Sequence, residues 1–403
     1  MKINLRQVWG VVFITLMTCS LAEAGSSTKT VGACANSINA LNGEYEKNEK
    51  FKKLMDSAFK NMQPLPMENN HKNRWIGKDI ADLTIFLEEW CTFLPTMKDG
   101  HDDGLKNIED FTAFYYHNPD GVRVVQDSPG REIFQDFSRE RGVFMDSEAS
   151  TVSIKSWMND GRTEIQDYNV PNPSAVDGGF KSFNEFFTRT LKDQKTSRPQ
   201  TMPERDYVIS APTDCIMNSI PQLIVSKETQ IATKGNQALN IDDMLNNSAY
   251  AEKFIGGTAL SCVLMPNTYH YYHSPVNGKV VESKIVEDAY YGYDDFATWV
   301  NKGNVGYNGT DFGQFENFKR GYFIVDAGKY GHVALIAVGL NTISSIVFEE
   351  KFRNLKGSVP IKRGDALGKF QYGGSMFIMI FEPNRYKSDA IQVRLGNQIG
   401  TFD

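Results

Sequence analysis

Gln371-Tyr372-Gly373-Gly374-Ser375-Met376 sits between a tight turn and the very apolar run 377–381. The run reads as a buried strand, and the two glycines as its entrance. Glycine removes side-chain hindrance around a carbonyl and opens backbone conformations closed to other residues, so the Ser375 hydroxyl can approach the carbonyl of Gly374. In most proteins Gly-Gly-Ser is only a loop or a bulge. The segment gains meaning from what precedes it.

From about residue 180 onward, short runs of Val, Ile, Tyr and Phe alternate with Gly, Asn, Asp and Pro, the texture of strands and turns. Strands are expected over 207–210, 279–286, 321–325, 333–338 and 377–381. Asn277-Gly278 is a turn signal ahead of the second of these, and 361–365 is another tight turn. The front of the chain reads differently. Phe51, Leu54, Met55, Phe59 and Met62 recur at three- and four-residue steps, which predicts an amphipathic helix over 48–61. Further helices are expected over 79–94 and 105–116, their aromatic stripes serving as core. The acidic cluster Asp99-Gly100-His101-Asp102-Asp103 lacks the twelve-residue calcium pattern and reads as a solvated turn. The class is therefore α+β, a helical N-terminal region packed beside a mainly antiparallel β region.

Composition sets the outer bounds. The 403 residues are 41% hydrophobic and 12% aromatic, with 33 Gly and 15 Pro, which excludes collagen-like and wholly disordered chains. A net charge of -6 argues against a protein that coats nucleic acid. Lys2 and Arg6, the apolar run 8–21 and Ala22-Glu23-Ala24 predict a signal peptide over 1–24, cut before Gly25, and hence a periplasmic or secreted protein, soluble or peripheral on a membrane. Leu16-Met17-Thr18-Cys19 is a poor lipoprotein box because Thr precedes the Cys, so lipid at Cys19 is the lesser expectation. After cleavage Cys34, Cys91, Cys215 and Cys262 remain. An oxidising compartment permits pairing, for instance Cys34 with Cys91, but spacing does not fix connectivity. With no C-x-x-C or H-x-x-x-H pair, no metal centre is expected.

Chemistry concentrates in the back half. Residues 266–275 hold two of the six histidines, His270 and His273, in an aromatic setting, and imidazole is the side chain best able to move protons near neutral pH. Asp214, in Ser210-Ala211-Pro212-Thr213-Asp214-Cys215, is an acid in a turn that can orient a histidine. Four segments occur in order. They are Phe183-Asn184-Glu185-Phe186-Phe187-Thr188-Arg189-Thr190-Leu191-Lys192 with Arg198-Pro199, then Ala211-Pro212-Thr213-Asp214, then Tyr269-His270 to His273-Ser274-Pro275, and finally Gly364-Asp365 to Gly373-Gly374-Ser375. Together, over roughly 180–385, they resemble the phosphatidylserine decarboxylase family.

That resemblance implies a proenzyme that cuts itself between Gly374 and Ser375 and converts Ser375 to a pyruvoyl group. His273, held by Asp214, would take the Ser375 proton as the hydroxyl attacks the Gly374 carbonyl, and β-elimination would break the resulting ester. The 29-residue C-terminal piece has no core of its own and must stay threaded through the sheet. The keto group then serves as electron sink for a carboxy-lyase, in place of pyridoxal phosphate. His270 is the candidate proton donor to the product carbanion, with His273 able to serve as well. The implied division is a helical extension over 25–179 and a catalytic domain over 180–403, the latter acting on phosphatidylserine to give phosphatidylethanolamine and CO2 with peripheral membrane contact. Cys215 stands where the family has Gly, narrowing the turn or packing. The extension resembles that of soluble decarboxylases of free aromatic amino acids, which keeps a free amino acid as alternative substrate. A reading of another class rests on 274–280 and 359–368, which resemble the paired turns of barrel-sandwich-like biotinyl and lipoyl carrier domains. Such a non-catalytic module lacks its Met-Lys-Met hairpin here and leaves Asp214, His270, His273 and Ser375 unexplained.

Overall fold

Spacing and caps produce the expected helices. Asn48 accepts a hydrogen bond from the Phe51 amide and opens α2 (Glu49–Lys60), which follows α1 (Ala35–Lys47). A capping box between Asp79 and Asp82 opens α3 (Ile80–Thr92). α4 (Lys106–Thr112) is shorter than the expected 105–116, and α5 (Pro119–Gln126) and α6 (Gly130–Met145) complete the layer. A Cys34–Cys91 disulfide ties the start of α1 to the end of α3. The computed structural model describes residues 31–65, 72–99, 101–217, 222–223, 232–233, 236–237, 240–292, 318–340 and 346–387; the expected leader 1–24 and Cys19 lie outside them.

Among the described residues the strands are, in chain order, β1 (Met97–Lys98), β2 (His101–Asp102), β3 (Ile216–Met217), β4 (Gln222–Leu223), β5 (Ala232–Thr233), β6 (Asn236–Gln237), β7 (Thr258–Leu264), β8 (Tyr271–His273), β9 (Gly278–Val286), β10 (Arg320–Asp326), β11 (His332–Leu340), β12 (Ile346–Phe348), β13 (Val359–Ile361), β14 (Ala366–Phe370) and β15 (Gly374–Phe381). The large sheet is antiparallel, in the order β13-β9-β10-β11-β15-β7-β3, with β4 also on β7. A smaller sheet has the order β12-β14-β8.

Alternation along the strands places these layers. Ile336 and Val338 of β11 and Met376, Ile378 and Ile380 of β15 lie in one core with the helices. Phe377, Met379 and Phe381, their neighbours in sequence, lie in a second core with Tyr272, Phe348 and Phe370 of the smaller sheet. Both faces of the large sheet are buried, which is why its strands read as continuous apolar runs. The α+β architecture is the one expected. The large sheet remains open, with β13 and β3 at its edges, instead of closing into a barrel. The expected strand at 207–210 is loop: Tyr207 is exposed, and Ser210 is tied to Pro275 and Arg363 instead of a ladder.

Phe111 of α4 is the centre of the helical layer, its ring against Phe86, Trp90, Phe114, Tyr115, Phe134 and Tyr291. Tyr291 belongs to the segment after β9, so this cluster joins the helices to the sheet. Phe111→Ala is expected to lower the unfolding free energy by about 3–5 kcal/mol, read as a shift of the urea midpoint.

Candidate active site

The turn between β13 and β14 sets one half of the site. Gly364 has φ 87°, a conformation that favours glycine, and an added Cβ would run into the Gln200 amide. The carbonyl so presented accepts from Nδ1 of His273 at 2.9 Å and from Gln194 at 3.1 Å. The other ring nitrogen, Nε2, meets the Tyr269 hydroxyl at 3.1 Å. A carbonyl only accepts, so the His273 proton sits on Nδ1 and, in the neutral ring, Nε2 accepts from Tyr269. Burial holds His273 below the usual histidine range, an effect partly offset by the Gly364 carbonyl and the nearby Asp214 charge.

Asp214 is held by Arg198 and does not touch His273. Arg198 Nε lies 2.9 Å from both Asp214 oxygens, while its two terminal nitrogens reach Asp167 at 2.9 Å and Glu164 at 2.7 Å. Hydrogen bonding to Asp214 pushes the guanidinium above its ordinary value. The expected direct Asp214–His273 bond is thus replaced by a backbone carbonyl on the histidine and an arginine on the acid. The two residues still share one cavity of about 430 Å³, lined also by Arg198, Tyr269 and Gly364. Cys215, next to Asp214, packs against the second core and forms a disulfide with Cys262 of β7.

Ser375 and His270 form the other half. Ser375 lies in the β15 ladder opposite Gly339 of β11 and Leu264 of β7, is 2% exposed, and among the described residues its hydroxyl reaches only the Gly373 carbonyl, at 3.4 Å. Gly373, at φ 152°, turns the chain into the strand. The preceding Tyr372 is anchored by α8 (Phe183–Phe187), where Asn184 accepts from its amide at 3.0 Å, and by its hydroxyl on the Gly104 carbonyl. That gives the Phe183-Asn184-Glu185-Phe186-Phe187 motif a physical task. Phe187 stacks on His270 at 3.6 Å and meets the edge of Tyr372 at 5.3 Å.

His270 is 1% exposed, and among the described residues neither ring nitrogen has a hydrogen-bond partner. The Thr268 backbone lies close enough to favour the charged ring slightly without meeting hydrogen-bond geometry. Burial, helped by the positive charge of Arg189, drives His270 well below the usual range. Arg189 is itself buried, over the rings of Tyr168 and Phe186, and donates to the Asn267 carbonyl.

The expected catalytic set is therefore split. Asp214 and His273 share the cavity, whereas Ser375 and His270 lie on the Phe187–Tyr372 side, and no hydrogen bond joins Ser375 to either histidine. Strand alternation is the reason. Tyr272 points into the inter-sheet core against Phe377, so His273, one residue on, points the other way. Sequence reasoning missed Tyr269 and the Gly364 carbonyl as histidine partners and Arg198 as the holder of Asp214, although each lies inside or beside a quoted motif.

A family model described as phosphatidylserine decarboxylase matches residues 183–401, from the first residue of α8 onward. The chain belongs to the phosphatidylserine decarboxylase family. Phosphatidylserine decarboxylase proenzyme 3 of Schizosaccharomyces pombe is 29% identical over 69% of this chain, but the chain spans only 27% of that relative's length. The phosphatidylserine decarboxylase proenzyme of Fusobacterium nucleatum is 27% identical over 68% of this chain and 82% of its own. Decarboxylase iboD of Amanita muscaria is 26% identical over 75% and 83% respectively. The family's prosthetic group is a pyruvoyl made by self-cleavage. The residues here fit one at position 375: the strand is apolar, and the buried His270, its nitrogens unpartnered among the described residues, stacks on Phe187, which packs on Tyr372 just before the strand.

Both histidines are neutral in the fold and, once unfolded, charge below about pH 6.5. Their depressed values mean that the unfolded chain binds more protons as pH falls, so stability is full above that point and declines below it. The thermal midpoint is expected to fall between pH 7.5 and pH 5, and to fall less in His270→Leu, by calorimetry at each pH.

Proposed function

We propose that the chain is a proenzyme that cuts itself between Gly374 and Ser375 and then acts as a carboxy-lyase on phosphatidylserine, releasing CO2 and leaving phosphatidylethanolamine. The observation that carries this reading is the place of Gly373-Gly374-Ser375 within the family match: at the mouth of a strand buried on both faces, next to Tyr372, which Phe187 links to the ring of His270. The names of the relatives support phosphatidylserine over a free amino acid, and a carrier module gives no reason for an unpartnered imidazole at that point.

In this reading Gly373 and Gly374 leave room for the Ser375 hydroxyl to turn from the Gly373 carbonyl oxygen to the Gly374 carbonyl carbon. Neutral His273, its Nδ1 proton committed to Gly364, carries on Nε2 the lone pair that a general base needs, which the Tyr269 hydroxyl releases by rotating as the Ser375 hydroxyl arrives. The acyl group moves from the Ser375 nitrogen to its oxygen, and the proton taken from the hydroxyl passes to that nitrogen. Loss of the Ser375 α-proton then expels the Gly374 carboxylate and leaves a dehydroalanine, which tautomerises to an imine; water hydrolyses the imine to the ketone and the Ser375 nitrogen leaves as ammonia. Because Ser375 and His273 lie on different sides of the smaller sheet, cutting requires Gly373, Gly374 and Ser375 to peel away from the start of the ladder while the strand from Met376 onward keeps its register.

Once formed, the pyruvoyl group supplies a keto carbon for the substrate amine and a sink for the electron pair left by departing CO2. His270 is assigned to move the proton, with both nitrogens free to do so, and His273 is the second candidate. The Met376 to Ile380 stretch keeps the surroundings apolar and excludes water, which favours loss of a charged carboxylate. Pairing of β15 with β11 and β7 would hold the 29-residue piece in place after the cut. The domain reading is a helical extension over 25–179 and a catalytic domain over 180–403. Phosphatidylserine lies in a bilayer, so the protein would meet the membrane peripherally; among the described residues no helix is long and apolar enough to cross it.

Purified protein is expected to run as two pieces, the smaller starting at residue 375 with a blocked terminus, and Ser375→Ala as one inactive chain. CO2 release is expected from phosphatidylserine vesicles in preference to free tryptophan, tyrosine or serine. An unbroken, active chain that retains the Ser375 hydroxyl would reject the assignment. Residues 1–24 are proposed as an export leader, so N-terminal sequencing of exported protein should begin at Gly25, and retention of Met1 would remove that part.

A further inference from the structure

We propose that Tyr269 is a positioning residue for His273, its hydroxyl supplying the hydrogen bond at Nε2 in both protonation states of the ring. The inference rests on the reading of His273 as the base in self-cleavage. Nδ1 is fixed on a backbone carbonyl that cannot change role, and the Asp214 carboxylate is occupied by Arg198, which leaves Tyr269 as the partner that acts on the reactive nitrogen. A hydroxyl rotates, so it donates to the bare Nε2 lone pair and accepts once that nitrogen is protonated. The second bond is charge-assisted and the stronger of the two, so the hydroxyl makes the buried ring easier to protonate.

The surroundings fix Tyr269 for this task. Its ring stacks on Tyr271 at 5.2 Å and packs near Tyr168 at 6.3 Å, and its backbone carbonyl accepts from the Thr213 hydroxyl. Burial and the neighbouring tyrosines raise its own ionisation, so the hydroxyl stays protonated through the working range. The other groups facing His273 act through space. Asp214 from the 211–214 segment, Asp365 from the Gly364 turn and Glu349 beyond β12 all favour the charged ring, with Arg198 neutralising part of the Asp214 effect.

Tyr269→Phe keeps the stacked ring and removes only the hydroxyl. The test follows histidine-selective 15N signals during a pH titration of the full chain carrying Ser375→Ala, with and without Tyr269→Phe. The expected result is a proton on Nδ1 in the Tyr269 chain and a His273 midpoint that moves to lower pH in Tyr269→Phe. A midpoint that stays or rises overturns the proposal. So does a proton on Nε2 of neutral His273 in the Tyr269 chain, a result that needs no second variant to fold. In chains with Ser375 intact, pulse-chase cutting is expected to slow about three- to tenfold in Tyr269→Phe, the weight of one such hydrogen bond, with its acid limb moved to lower pH. Cutting with an unchanged rate and limb overturns the role. An uncut wild-type chain instead rejects the self-cleavage reading, while the nitrogen signals still decide what Tyr269 does to the ring.

Discussion

β15 is bonded along both edges, to β11 and to β7, and covered on both faces, by helices on one side and the smaller sheet on the other. The rest of the site depends on that confinement. A strand held in this way keeps its place through backbone pairing and buried side chains, whether or not Ser375 remains joined to Gly374. It also fixes which face Ser375 occupies, because a strand in a two-sided core cannot slip by one residue without moving every apolar side chain into the wrong layer.

The same burial holds both histidines of the site below the usual histidine range. Burial disfavours the charged imidazole, and the Asp214 carboxylate, which could offset that for His273, is engaged by Arg198. Arg198 in turn joins Asp167 and Glu164 of the preceding segment to Asp214, and the chain around Asp167 is stitched to the 190–192 backbone. The helical front is therefore connected to the site by an ion network as well as by the aromatic cluster around Phe111. His270 carries the opposite cost, a buried imidazole with no partner, which a stable fold retains at an expense of about 1–3 kcal/mol per unsatisfied group.

Much of this was legible in the sequence because periodicity reports burial. The helices around Phe51 and Leu83 and the strands at 279–286, 321–325, 333–338 and 377–381 stand where their apolar patterns put them. The strand expected at 207–210 failed because a short Tyr-Val-Ile run signals extended backbone without naming a partner. Helix α6 went unread because its buried positions include Gly130, Ser138, Arg141 and Gly142, which carry no apolar signal. The residue types of the site were legible and their mutual contacts were not. A bond from His273 to a carbonyl, or from Asp214 to an arginine sixteen residues earlier, depends on a turn and a salt-bridge geometry that composition does not encode.

The spacing of the two histidines carries the remaining step of the argument. Three residues apart in extended chain, they point to opposite sides, and Tyr272 between them marks the inward face. His270 stacks on Phe187, whose ring also meets Tyr372 just before β15, while His273 opens to the cavity with Arg198 and Asp214. One short segment thus presents two imidazoles to two environments, one dry and unpartnered, the other bonded at both nitrogens. Two proton transfers with different requirements, breaking one backbone amide and returning a proton to a carbanion, call for that kind of division. A single histidine would have to be both tightly held and free.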